Sequence, residues 1–165
     1  AWNTLEDVRN APNAEFNIVA SYSGLTAVRW LEARFGTPWQ IADVAFEPNG
    51  EVTAPTLIVG DQIIANGVRS KLDVSASVAS FFGVDAELSR DGDIHLKSER
   101  HLIELLKSGE YKSLIADPIV CAIPAALNLQ KYKLPHPAIS SYLYWDKVKK
   151  RVSLSTFNAE TSSTN

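Results

Sequence analysis

The spacing of apolar and polar positions along the chain predicts an α/β fold. Compact apolar runs, typical of strands, occur at residues 16–22, 56–60, 77–82, 112–117 and 131–135. Helical periodicity follows these runs at residues 24–35, 61–72 and 98–109, and again around Cys121. Because strands and helices alternate, the strands should be parallel and joined by right-handed crossovers. We therefore predict a Rossmann-like, doubly wound, mostly parallel sheet of about four to five strands with flanking helices.

Residues with known positional preferences predict where several helices begin and end. The hydroxyl side chains of Thr4, Ser23 and Ser98 each precede a helical pattern and are expected to be N-caps. Gly36 and Gly109 follow helical patterns and are expected to end them.

A change of pattern suggests how the chain divides into domains. Residues 37–55 contain three prolines and a Pro-Asn-Gly turn without a sustained period, which predicts a connecting segment. On this basis residues 1–48 are the end of a preceding domain, 49–150 are a Rossmann-like C-terminal domain, and 151–165 are a polar tail.

Composition narrows the possible partners and the compartment. The formal charge is −3 and the basic run at 147–151 is short, which argues against a nucleic-acid surface. No apolar run approaches the roughly 18 residues that cross a membrane, so we expect no membrane partner. One cysteine excludes an internal disulfide framework, and no signal peptide precedes the first predicted helix, so a reducing, cytoplasmic location is expected. The chain has no methionine, which fits either removal of the initiator or a piece of a longer protein.

Polar residues follow three of the predicted strands. In an open parallel sheet, ligands bind beyond the carboxyl ends of the strands, where the strand order reverses. This rule selects the loop of Gly60, Asp61 and Gln62, the loop that starts at Asp117, and the loop of His136. Ser140 follows the last of these loops and is a further candidate contact. Helix starts at these junctions should direct backbone N–H groups into the crevice, which would favour an anionic ligand.

Each of these candidates also has a structural interpretation. Asp61 and Asp117 stand where aspartate commonly caps a helix. His136 lies between two prolines that restrict the backbone, so its ring is well placed to ligate a metal, but it could equally be structural or solvent-facing. His95 and His101 are six residues apart, which does not place them on one helix face, and we do not predict them as ligands.

Cys121 is interpreted as a small core residue. It lies among apolar residues without a cationic neighbour that would lower its pKa, and one thiol cannot build a zinc site of four thiolates. Pro124 should kink or end its helix. The chain also lacks the GxGxxG, GxxxxGK[ST], HExxH, CxxC and GxSxG motifs, so nucleotide-phosphate binding and self-contained hydrolysis have no support.

Four stretches, in order, resemble the C-terminal part of the nitrogenase component 1 type oxidoreductases. They are SYSGLTAVRWLEARFGTPW, TLIVGDQIIANGVRSKL, HLIELLKSGEYKSLIADPIV and KLPHPAISSYLYW. The resemblance spans residues 4–148 and implies a last Rossmann-like domain of a larger subunit. It also implies an iron–sulfur or related metal cluster between domains and subunits, a homologous partner subunit, and electrons from an ATP-driven iron–sulfur reductase.

The same resemblance assigns roles to individual residues. In the catalytic nitrogenase subunit a histidine on a loop of the last domain holds the cofactor, and His136 falls at about that place, which implies a metal ligand. The family's cluster-binding cysteines lie upstream of this sequence, and Cys121 matches none of them. The isolated chain is therefore expected to carry no cluster and to be inactive by itself.

Two functions of different classes follow. In the first, the chain is the C-terminal domain of a nitrogenase-like oxidoreductase subunit, and its loops form one wall of a metal-cluster, cofactor or substrate cavity. In the second, it is a stand-alone Rossmann-like binding or interaction module without redox activity. A severed domain should expose an apolar docking patch, for which Trp2, Trp39 and residues 142–145 are candidates. A hydrolase or transferase with Asp61 or Asp117 as base is disfavoured because no nucleophile or oxyanion motif accompanies them.

Overall fold

The computed structural model of the chain describes residues 4–136 and 139–140. The predicted tail at 151–165, the basic run at 147–151 and the aromatic positions Trp2 and 142–145 lie outside the described residues. Within the described part, no helix is both long enough and apolar enough to cross a membrane.

Two parallel sheets form the described fold. The small sheet pairs β1 (Asn17–Val19) with β2 (Trp39–Ile41). The large sheet contains β3 (Thr56–Val59), β4 (Ala76–Ser80), β5 (Ile94–His95), β6 (Ser113–Ala116) and β7 (Gln130–Lys133). Its order is β5-β4-β3-β6-β7, and every pair is parallel. The predicted α/β, Rossmann-like fold is confirmed.

Among residues 4–136 and 139–140, five α-helices accompany the strands: α1 (Leu5–Asn10), α2 (Leu25–Phe35), α3 (Gln62–Arg69), α4 (Glu99–Lys107) and α5 (Pro118–Cys121). Short 3-10 turns occur at Ala11–Asn13, Tyr22–Gly24, Ala86–Leu88 and Pro124–Ala126. The α5 helix is a single turn, and Pro124 begins the 3-10 turn that follows it, as the proline predicted.

Most of the predicted caps are confirmed. The side chains of Thr4 and Ser98 accept hydrogen bonds from backbone N–H groups in the first turns of α1 and α4. Gly36 ends α2 in the left-handed region, with a φ of 72°. Ser23 was predicted wrongly as an N-cap. The N-cap of α2 is Gly24, because a 3-10 turn already leads the chain into the helix, and the Ser23 hydroxyl pairs with that of Ser21 at 2.9 Å.

The two faces of the large sheet have separate cores, as expected of a doubly wound fold. All four residues of β3 and of β6 are buried. Ile58 and Ile115 pack on the face covered by α3, whereas Leu57 and Leu114 pack on the face covered by α4. Because neighbouring positions point to opposite faces, strands buried on both sides appear in the sequence as continuous apolar runs.

Two strands lie where the sequence predicted none. β2 falls inside the predicted connecting segment 37–55, where pairing with β1 stabilises an extended conformation that the local pattern does not specify. β5 follows the predicted polar turn, and only two residues of it pair with β4. Val44 and Phe46 of the same connecting segment are buried in the core on the α3 face. The division at residues 48 and 49 stays a prediction.

Candidate functional site

The order of strands reverses between β3 and β6. From β3 the chain proceeds outward to β4 and β5, and after α4 it returns to the other side of β3 as β6 and then β7. Val59 and Ala116 are paired at the carboxyl ends of β3 and β6, so the loops that follow lie side by side. We call this region, made of residues 60–62, 81–83, 117, 135–136 and 140, the carboxyl edge. It is where ligands bind in folds of this type.

Asp61 is a buried carboxylate that joins the two sheets at the carboxyl edge. It is 3% exposed, and its Oδ1 accepts the N–H of Ile63 at 2.9 Å, which caps α3. The N–H of Tyr22, just beyond β1, donates to both carboxylate oxygens at 3.1 and 2.9 Å. The capping interpretation of Asp61 is therefore confirmed, and the same side chain also holds the segment that leads into α2.

Asp117 performs the equivalent task beyond β6. It is 2% exposed, and its Oδ1 accepts the N–H of Ile119 at 2.9 Å, which caps α5. Its Oδ2 accepts the backbone N–H of His136 at 2.8 Å and the hydroxyl of the buried Ser140. This single carboxylate thus brings together three of the predicted site residues, Asp117, His136 and Ser140.

The preference for an anionic ligand stays a prediction, but at two of the helix starts a carboxylate of the chain itself already accepts a backbone N–H group. The N–H groups of Ile63 and Ile119 donate to the carboxylates of Asp61 and Asp117. Two buried carboxylates at one sheet edge also repel a further negative charge, and repulsion is stronger where water is partly excluded. This geometry favours a neutral or cationic group over an anion.

The side chain of His136 contacts that of Phe82, which belongs to a different loop of the carboxyl edge. Its half-buried imidazole is stacked on the ring of Phe82, with centroids 4.6 Å apart and planes 13° from parallel. Burial holds the pKa of His136 below its ordinary value, against the opposing pull of Asp61 and Asp117. The imidazole is therefore neutral at pH 7, the form that ligates metal ions.

Phe82 was not among the predicted site residues. It was included in the predicted strand 77–82, whereas β4 ends at Ser80 and both Phe81 and Phe82 lie beyond it with 38% and 41% exposure. The sequence carried no signal for the end of β4, because in a sheet with a core on each face two adjacent aromatic residues can both be buried.

Gly60 and Gln62 occupy different environments although they are neighbours in the chain. A Cβ placed on Gly60 would meet no atom within 4 Å, so its backbone borders open space. Gln62 is fully buried, and its amide nitrogen donates to Asp85 O at 3.0 Å and Ser89 Oγ at 3.1 Å while its oxygen accepts the Asp85 N–H at 2.7 Å. Gly60 thus remains a candidate contact, whereas the Gln62 amide holds the 85–89 segment.

Ion pairs also hold the segment of residues 85–93 in place. Arg29 of α2 contacts both carboxylate oxygens of Asp85 at 2.6 and 3.0 Å and reaches Glu87 at 2.7 Å. The hydrogen bonds from Arg29 hold the pKa of Asp85 below its ordinary value. Arg69 and Asp93 form a buried pair at 2.6 Å. These pairs support the 85–93 segment, and no local pattern in the sequence predicts them.

Cys121 is a core residue, as predicted. It is 6% exposed in the core cluster on the α4 face, and its thiol lies 3.4 Å from the carbonyl oxygen of Ala116. Burial raises the pKa of the thiol. Among residues 4–136 and 139–140, no group of three or more His, Cys, Asp or Glu side chains is arranged to hold a metal ion. The one thiol of the chain therefore lies in the core, where it is not placed to ligate a cluster.

Comparisons with protein-family models, with curated proteins and with solved structures found no match to this chain.

Proposed function

We propose that the carboxyl edge forms one wall of a cavity for a neutral or cationic group, and that His136 is the residue that contacts this group. The proposal is carried by one observation: a neutral imidazole, stacked on Phe82, lies at the reversal of strand order beside two buried carboxylates. A neutral imidazole can coordinate a metal or exchange a hydrogen bond, and the nearby negative charge stabilises a cation.

The chain's own residues have positioning roles in this proposal. Asp117 holds the backbone of His136 and the hydroxyl of Ser140, so the loop that carries the imidazole is fixed before a ligand arrives. Asp61 holds the opposite border of the crevice through the N–H of Tyr22. Fixing both borders lowers the entropy that binding would otherwise cost.

We further propose that this wall belongs to a nitrogenase-like oxidoreductase subunit. The support is the resemblance of the four stretches described above, which places His136 near the family's metal-binding histidine. A homologous subunit and an ATP-dependent iron–sulfur reductase are the partners in this proposal. A bound iron–sulfur or related cluster would supply the electron transfer, and its thiolate ligands must come from elsewhere, because Cys121 is buried in the core.

A stand-alone binding module is the second candidate function. The observation that favours it is the burial of Cys121, together with the lack of a metal-binding group among the described residues. In this case the same carboxyl edge binds a small molecule without redox chemistry. Both candidate functions place the ligand against His136. One experiment therefore tests ligand contact at the carboxyl edge, and a second distinguishes the two candidate functions.

Zinc ion and inorganic phosphate are the probes for the wall. We would titrate each into the full chain and follow the imidazole ¹⁵N resonances by NMR. The His136 ring should respond to zinc and not to phosphate, and His136→Ala should remove that response. His95→Ala is the matched control, since His95 is exposed on β5. A His136 ring that ignores zinc would rule out a cationic group, and a ring that responds to phosphate would contradict the proposal.

Capture of the native polypeptide distinguishes the two candidates. An antibody raised against residues 56–133 would isolate the protein from its source under anaerobic conditions, followed by peptide mass mapping and assays for iron and acid-labile sulfide. A longer polypeptide that contains iron and sulfide supports the nitrogenase-like subunit. A polypeptide of this length without iron supports the binding module.

A further inference from the structure

An apolar groove lies between the first helical segment and α2, away from the metal chemistry considered above. It has a volume of about 650 Å³, and its walls include Val8, Ala11 and Pro12 on one side and Ala27, Trp30 and Phe35 on the other. Val8, Trp30 and Phe35 remain 48%, 59% and 47% exposed. Exposed apolar side chains grouped around one concave surface are typical of a docking site.

Ser140, the last described residue, is connected through the neighbouring loops of Asp117 and Asp61 to the segment that borders this groove. Ser140 is hydrogen-bonded to Asp117, and the neighbouring loop carries Asp61, which holds the N–H of Tyr22. The next residue, Ser23, lines the groove. Adjacent strands are about 4.8 Å apart, and an extended chain advances about 3.3 Å per residue. About three to five residues after Ser140 are therefore enough to reach the groove.

The sequence after Ser140 has the composition that such a groove requires. Residues 142–148 read YLYWDKV, with four large apolar or aromatic side chains in succession before the polar and basic positions begin. Each buried aromatic side chain removes roughly 150–250 Å² of surface from water. Ser23 and Thr26 also line the groove and carry hydroxyls that can pair with a tyrosine hydroxyl or an indole N–H.

We propose that residues 142–148 of this chain dock intramolecularly into the groove between residues 8–12 and α2. Reach, apolar composition and the position of Ser140 all favour this occupant over a separate molecule. Tethering raises the effective concentration of the segment, so modest contacts suffice for occupancy. Docking would also connect α2 to the loop that carries His136, because residues 136 and 140 are both hydrogen-bonded to Asp117.

A spin label at the groove tests this proposal directly. Thr26 is exposed and lines the groove, so Thr26→Cys can carry a nitroxide without disturbing the core. In the full ¹⁵N-labelled chain, the amide signals of residues 142–148 should lose at least half of their intensity. The same label at Glu104→Cys, on the exposed face of α4, should leave them unchanged. Cys121 is buried, so the label should add selectively to the new cysteine.

Two further samples decide what fills the groove. In a mixture of spin-labelled unenriched chain and unlabelled ¹⁵N chain, signal loss would mean that a second copy occupies the groove and would overturn the proposal. A label at Thr26→Cys without any effect on residues 142–148 would overturn it as well. Ala27→Trp fills the groove from one wall and should restore the 142–148 signals at least twofold if the segment docks there.

Discussion

The imidazole of His136 lies nearly parallel to the ring of Phe82, with 4.6 Å between ring centroids. The two residues follow β7 and β4, which are separated in the sheet by β3 and β6. Their contact therefore spans the carboxyl ends of β3 and β6, the two strands between which the strand order reverses. Each side chain limits the exposure of the other to water, and this burial accounts for the lowered pKa of His136.

Removal of the Phe82 ring should raise the pKa of His136 toward its ordinary value of 6.5. In Phe82→Ala the imidazole gains water on one face, so its charged form is penalised less. The titration is measured from the imidazole Cε1–H signal by NMR. Phe81→Ala is the matched control, because Phe81 is a similarly exposed neighbour. An unchanged His136 titration in Phe82→Ala would mean that other groups cause the desolvation.

The lowered pKa of His136 also predicts a pH dependence of stability. In the unfolded chain the imidazole protonates near 6.5, whereas in the folded chain it protonates only at lower pH. Between these two values the unfolded state holds more protons, so the free energy of unfolding falls as the pH falls. Urea unfolding above and below pH 6.5 should show this loss, and His136→Gln should reduce the slope. His95→Gln should keep it.

Asp117→Asn should destabilise the fold by about 2–4 kcal/mol, because hydrogen bonds to charged groups contribute roughly 1.5–3 kcal/mol each and buried groups are left unsatisfied. The amide would direct N–H groups toward the backbone N–H of His136 and the hydroxyl of Ser140, which both donate to the present carboxylate. Urea unfolding measures the effect. Asp91→Asn is the control on an exposed aspartate and should change stability by less than about 0.5 kcal/mol. A similar small change for Asp117→Asn would mean that its carboxylate is dispensable.

The fold could be predicted from the sequence because its central strands are buried on both faces. β3 and β6 appear as short apolar runs between helical patterns, and the alternation alone specifies a parallel sheet. β2 and β5 could not be predicted in this way. Each is stabilised by pairing with a strand that is distant in the sequence rather than by a local pattern.

The candidate site was only partly predictable for a related reason. Asp61, Asp117 and His136 follow strands that are recognisable, so the rule for parallel sheets locates them. Whether a carboxylate is available to a ligand depends on donors elsewhere in the chain, such as Tyr22 for Asp61 and Ser140 for Asp117. Sequence spacing cannot reveal these tertiary partners.

Gly83→Ala and Gly60→Ala should differ sharply although both positions belong to the carboxyl edge. Gly83 has a φ of 127°, and an added Cβ would lie 2.5 Å from the ring of Tyr22. We expect Gly83→Ala to cost about 1–3 kcal/mol from overpacking, with backbone strain in addition. At Gly60 the Cβ would meet nothing within 4 Å, so stability should be nearly unchanged.

The pair of glycine variants also separates folding from binding. A methyl group at Gly60 would project into open space beside the proposed ligand. The variant should therefore unfold at the same urea concentration as the unchanged chain but show a weaker His136 response to zinc. An undiminished zinc response in Gly60→Ala would place the bound group away from β3.

Cys121 should be almost unreactive toward thiol reagents while the chain is folded. Its side chain is 6% exposed, and burial raises the pKa of the thiol, so little reactive thiolate forms near neutral pH. Labelling with Ellman's reagent should be slow in buffer and fast in concentrated urea, and the slow rate should follow the opening of the fold. Destabilising the chain by Gly83→Ala should accelerate labelling, whereas Gly60→Ala should not. Rapid labelling of the folded chain would instead show that the thiol is accessible and would contradict its assignment to the core.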